Sequence, residues 1–85
     1  MKTMETINYK KAQPEIGNTQ KIMNVESVLV EIEIVDDIRY ELYRDTNGGT
    51  VRVFDIDSGE VVTIVRYQNF LKAKEAYNKA IYKGN

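Results

Sequence analysis

Between Thr50 and Tyr67 the chain reads TVRVFDIDSGEVVTIVRY. Two β-branched runs flank Asp57-Ser58-Gly59, and a tight turn there brings the second run back along the first. This hairpin constrains the fold strongly and says little about chemistry. Its second run is the more telling half. Val61, Val62, Ile64 and Val65 leave it apolar on both faces, the pattern of a strand covered on both sides or lying at an interface.

The sequence before the hairpin predicts two more strands. Val25 to Val35 alternates at period two, which puts Val28, Val30, Ile32 and Ile34 on one face and Leu29, Glu31, Glu33 and Val35 on the other. Asp36-Asp37 makes the first turn. Ile38 to Asp45 is the second strand, with Ile38, Tyr40 and Leu42 opposed to Arg39, Glu41 and Tyr43. Thr46-Asn47-Gly48-Gly49 is the second turn, where Asn and Gly accept positive φ. Its register has two readings. A two-residue loop places Tyr43 opposite Arg52; a three-residue loop places Leu42 opposite Phe54 and Tyr40 opposite Ile56.

After Tyr67 the period changes. Gln68 to Lys83 predicts a helix with Asn69 as its N-cap. Phe70, Ala73, Tyr77, Ala80 and Ile81 share the core-facing arc, with Lys72, Glu75, Lys79 and Lys83 opposite. The expected fold is α+β: a four-stranded antiparallel β-meander followed by one C-terminal α-helix packed on one sheet face, β-β-β-β-α, over residues 25–85. Residues 1–24 mix Lys, Glu, Asn, Gln and Thr around Pro14 and Gly17-Asn18, without a helical or strand period. They read as a flexible polar N-terminal tail.

Composition narrows the function. Eighty-five residues make one domain with a thin core. There is no Cys and no His, which removes thiolate chemistry, the commonest general base and the commonest metal ligand. The opening MKTMETINYKK lacks the apolar core of a signal peptide, and no run of about 18 apolar residues exists. A cytoplasmic location without membrane contact is expected. The net charge of -1 conceals a segregation: residues 25–60 hold ten acids against three Arg, whereas residues 61–85 hold five cations against Glu75. Such a layout orients an encounter with a charged partner.

Three constellations bear on chemistry. Asp55 to Glu60 departs from the EF-hand loop, with Gly one position early and Arg66 where the bidentate Glu belongs. Glu31, Glu33, Asp36 and Asp37 would need a pocket to act as catalytic carboxylates, and one helix on a small sheet offers little room for one. With the two-residue loop, Arg39, Tyr43, Arg52 and Phe54 would share a sheet face and suit stacking on single-stranded nucleic acid, and Lys72, Lys79 and Lys83 would supply a basic helix face; the ten acids of the sheet region oppose phosphate. No catalytic residue, metal site or cofactor is expected. The apolar count favours a partner: one helix covers one face, so the second face or an edge is left for another protein or a second copy of the chain. Candidate partner-binding residues are Arg39, Tyr43, Arg52, Val61, Val65 and Tyr67.

The segment Ile38 to Leu71 resembles FlaG, a family of small proteins of bacterial flagella. The resemblance lies in Ile38-Arg39-Tyr40-Glu41-Leu42, then Val51-Arg52-Val53-Phe54-Asp55 and Ser58-Gly59-Glu60-Val61-Val62, with Phe70-Leu71 opening the helix. Where that family continues with Ile-Pro-Pro, this chain has Val65-Arg66-Tyr67. The resemblance implies a non-enzymatic flagellar accessory role and assigns no functional residues. The reading of the residues themselves is a small non-enzymatic protein-binding module, of a size and charge pattern that suit a phage or mobile-element inhibitor of a host protein, with nucleic-acid binding through the basic helix as the third expectation.

Overall fold

The structure is a computed structural model and describes residues 15–84, with side chains to Tyr82. Most of the expected tail, residues 1–14, and the side chain of Lys83 lie outside the described residues. Five strands and one helix follow in order: β1 (Thr19–Ile22), β2 (Val25–Val35), β3 (Ile38–Arg44), β4 (Gly49–Asp55), β5 (Val61–Tyr67) and α1 (Phe70–Gly84). The strands form one antiparallel sheet in sequence order, and the fold is α+β with the helix packed against the sheet.

The expected four strands are five. β1 lies within the segment read as tail and pairs with β2 from Thr19↔Val28 to Ile22↔Val25. A strand of four residues is too short to show a period, and its turn, Met23-Asn24, carries no Gly. Both residues nevertheless take positive φ, 54° and 68°, as a two-residue hairpin of matching twist requires. Asp36-Asp37 turns in the same way with φ of 49° and 67°. Ile22 is buried against Leu29 and Tyr43, so β1 belongs to the core.

A bulge between Leu29 and Glu31 breaks the predicted faces of β2. The extra residue, Val30, resets the alternation. Val28 and Val30 therefore lie toward the helix, while Ile32, predicted to share their face, packs on the opposite side with Leu29 and Tyr43.

Neither predicted register of the β3–β4 hairpin holds. Leu42 faces Val51, Tyr40 faces Val53 and Glu41 faces Arg52. The loop is four residues, Asp45 to Gly48, closed by the Asp45 N–H donating to the Gly48 carbonyl at 2.9 Å. Asp45 Oδ1 accepts from the amides of Asn47 (2.9 Å) and Gly48 (2.7 Å). Gly48 and Gly49 are required for space rather than for positive φ. A Cβ on Gly48 would sit 2.0 Å from the Tyr67 carbonyl oxygen, and one on Gly49 2.6 Å from that of Tyr43 and 3.0 Å from the Ala73 and Phe70 side chains.

The helix follows its predicted stripe. Ala73 and Tyr77 are buried against Tyr40, Leu42, Val51 and Val53, with Phe70, Ala76, Ala80 and Ile81 at the margin. Asn69 caps it, its Oδ1 accepting from the Leu71 amide at 2.8 Å. Lys74 forms an ion pair with Glu31 across the seam between helix and sheet. On the other face, Ile22 from one edge of the sheet and Ile64 from the far edge strand reach the same cluster around Tyr43, so the sheet curls toward that side.

Candidate functional site

The two edges of the sheet differ. β1 is four residues long and bears Lys21 on its exposed surface. Short length and lysine both discourage pairing with another chain. β5 is seven residues, VVTIVRY, and its one charge is Arg66. Val61, Val62 and Val65 are 50%, 61% and 41% exposed. Among the described residues the helix covers only the Tyr67 end of this strand, because its contacts fall mainly on β3 and β4.

Backbone geometry completes the edge. The Asp45–Gly48 hydrogen bond sets the phase of the β3–β4 ladder. Bonded and non-bonded pairs alternate along an antiparallel ladder, so Gly49, Val51 and Val53 turn their polar groups toward β5. Their partners are Tyr67, Val65 and Thr63. Ile64 and Arg66, lying between those partners, direct N–H and C=O away from β4 to the open edge. Another bulge, between Val53 and Phe54, places both Val61 and Val62 against Phe54 and ends the regular ladder at Thr63.

Arg66 is held in place. Its guanidinium donates twice to Asp45, Nη2 to Oδ1 at 2.8 Å and Nε to Oδ2 at 3.1 Å. The Asp45 carboxyl is lowered from its ordinary pKa by the Arg66 hydrogen bonds first, opposed by burial and assisted by the Asn47 and Gly48 amides. The same pair raises the Arg66 pKa. A bidentate pair of this kind fixes the second half of β5 to the β3–β4 loop.

Arg39, Tyr43, Arg52 and Phe54 do come together on the face away from the helix, around Glu41. Glu41 is fully buried and accepts from Arg39 Nε (2.7 Å), Arg52 Nε (2.7 Å) and the Tyr43 hydroxyl (2.9 Å). Arg52 Nη2 and Gln20 Nε2 donate to the Tyr43 oxygen at 2.7 and 3.3 Å. Both guanidinium groups lie 5.8 Å from the Phe54 ring centre, and Arg52 also lies 5.3 Å from that of Tyr43. Arg39 is 4% exposed, and Tyr43 and Phe54 are fully buried. The cluster is interior structure and presents no stacking surface. Strand alternation puts Glu41 on the face of β3 that carries Arg39 and Tyr43, but its place at the centre of the cluster depends on the register that sets it opposite Arg52, which neither predicted loop gives.

The remaining candidates are dispersed. Tyr67 is half-buried beside the helix core, and Lys72 and Lys79 are exposed on the outer face of α1. Asp55 serves its own turn, its Oδ1 accepting from the Asp57 and Ser58 amides at 2.9 and 3.3 Å. Burial raises the Tyr77 hydroxyl pKa, and the charges of Glu31, Glu33 and Glu41 add to the effect. No helix among the described residues is long and apolar enough to cross a membrane.

No family model, curated protein or solved structure matches this chain. The resemblance of Ile38 to Leu71 to FlaG therefore rests on those residues alone.

Proposed function

We propose that the chain is a small non-enzymatic protein-binding module that engages its partner along β5. One observation carries this reading: the longer edge of the sheet has exposed valines and outward backbone groups at Ile64 and Arg66, while the opposite edge is short and lysine-bearing. A strand added to such an edge gains main-chain hydrogen bonds and buries apolar side chains on both faces. The tight-packed state of the strongest charge cluster supports a non-catalytic role. Glu41, Arg39 and Arg52 pair with one another in the interior. The inhibitor and flagellar accessory roles are both forms of this reading.

The test is capture from the source cell with the intact chain and with Val65→Lys. Val65 is 41% exposed, so the substitution is expected to leave the melting temperature nearly unchanged. Proteins held by the intact chain and lost by the variant support the reading. Identical sets from both folded proteins overturn it.

A further inference from the structure

The same edge is complementary to itself. We infer that β5 pairs antiparallel with β5 of a second copy, about a two-fold axis through Val65, to make a continuous ten-stranded sheet. The inference rests on the reading that β5 is the binding edge, and it names the partner.

Hydrogen-bond phase selects the register. Ile64 and Arg66 are the regular positions whose N–H and C=O point outward, as the β4–β5 pairing requires. An axis through Val65 sets Ile64 of one copy opposite Arg66 of the other, twice. All four outward N–H groups and all four outward carbonyls then have partners. An axis through Ile64 would set Arg66 opposite Val62, inside the bulge where the ladder is irregular. An axis through Thr63 would need Glu60, whose carbonyl already accepts from Asp55 at 2.9 Å.

Side chains agree with this register. The two Val65 side chains meet at the axis on the helix side, and Thr63 faces Tyr67. No like charges are opposed: Arg66 faces Ile64, and its own charge is bound by Asp45. A net charge of -1 per copy gives little long-range repulsion between copies. Val61 and Val62 come level with Gln68 and Asn69 at the start of the other helix, where Leu71 is also exposed. A charge-poor apolar edge suits a copy of itself better than a strongly acidic or basic partner. Seven residues of edge bury less than the standard interface of about 1,600 Å², so monomer and dimer are expected to exchange reversibly.

Sedimentation of the purified chain over a concentration series tests this, with amide exchange as the readout of geometry. The expected result is a concentration-dependent dimer in which the Ile64 and Arg66 amides become protected as the dimer fills, while those of Thr63 and Val65 are protected throughout. Val65→Lys alone and Val65→Glu alone place like charges at the axis, and each is expected to weaken the dimer on the order of tenfold. Mixed in equal amounts, the two variants place opposite charges there and are expected to dimerise again. A chain that stays monomeric at millimolar concentration overturns self-pairing. So does a dimer indifferent to both variants, or a mixture of two folded variants that does not recombine. If the monomeric chain still captures a different protein that Val65→Lys loses, self-pairing has failed and the binding-edge reading stands; if it captures none, both have failed.

Discussion

Toward α1 the sheet presents Tyr40, Leu42, Val51 and Val53, and the helix meets them with Ala73 and Tyr77. Away from α1 the same two strands present Arg39, Glu41, Tyr43, Arg52 and Phe54, all of them buried or nearly so. Both faces exclude water by different means. The apolar face gains from burial at roughly 25 cal/mol per Å² and tolerates no intrusion of volume. The ionic face gains less on balance, because desolvation offsets attraction, but losing the shared Glu41 carboxylate takes an ion pair from both guanidinium groups at once. One face should therefore be sensitive to size and the other to charge.

The largest expected effect is on the ionic face. Glu41→Ala leaves two nearly buried guanidinium groups without their common carboxylate, and a loss of about 3–5 kcal/mol is expected. Urea unfolding measures it. Replacing all three charges together, as Arg39→Met, Glu41→Leu and Arg52→Met, is expected to recover most of that loss, since the buried cations go with the acid. A Glu41→Ala protein within about 1 kcal/mol of the parent would show that the ionic face is no more sensitive to charge than the apolar face.

These two faces were unequally legible in the sequence. Strand alternation from Ile38 to Tyr43 and the stripe Phe70, Ala73, Tyr77 declare the apolar face directly, because periodicity is a local property. The ionic face depends on register, and register was set by an invisible feature. Asp45 accepts two amides of its own loop, making a four-residue connection where Asn47-Gly48 suggested a shorter one. The β2 bulge at Val30 and the two-residue turn at Met23-Asn24 were hidden for the same reason: each is settled by contacts with a neighbouring strand. The open edge was half legible. The apolar doubling of Val61 to Val65 was plain, but that β5 ends the sheet could be known only once the strand order was known.

Next in size is a steric change on the apolar face. Gly49→Ala adds a Cβ 2.6 Å from the Tyr43 carbonyl oxygen, a backbone atom that cannot swing aside. The helix start must move with it, because Phe70 and Ala73 lie 3.0 Å from the same point. A loss of about 1–3 kcal/mol is expected, read as a lower urea midpoint. No loss would mean that the helix is seated loosely and that the apolar face is less size-sensitive than the ionic one.

The ionic face also contains an evident flaw. Thr50 Oγ1 is buried without a hydrogen-bond partner. Thr50→Val keeps the branched shape and removes the stranded hydroxyl. A gain of about 1 kcal/mol is expected, seen as a raised melting temperature. A loss instead would show that the hydroxyl has a partner in solution.

The smallest effect at neutral pH is expected from Asp45→Asn, and its value lies in its pH dependence. Asn retains an oxygen to accept the Asn47 and Gly48 amides, so the loop should persist while the charge on Arg66 goes unanswered. The folded pKa of Asp45 lies below its ordinary value of 3.8. Its contribution to stability is therefore fully present above that value and is lost as pH falls through the folded pKa. The melting temperatures of parent and variant should differ by a constant amount above about pH 5 and converge as the solution is acidified below about pH 4. On the apolar face, Gly49→Ala should keep a constant offset through the same range, since it removes no titrating group. Parallel curves for Asp45→Asn would place the acid sensitivity of this fold elsewhere than in the clamp between the β3–β4 loop and β5.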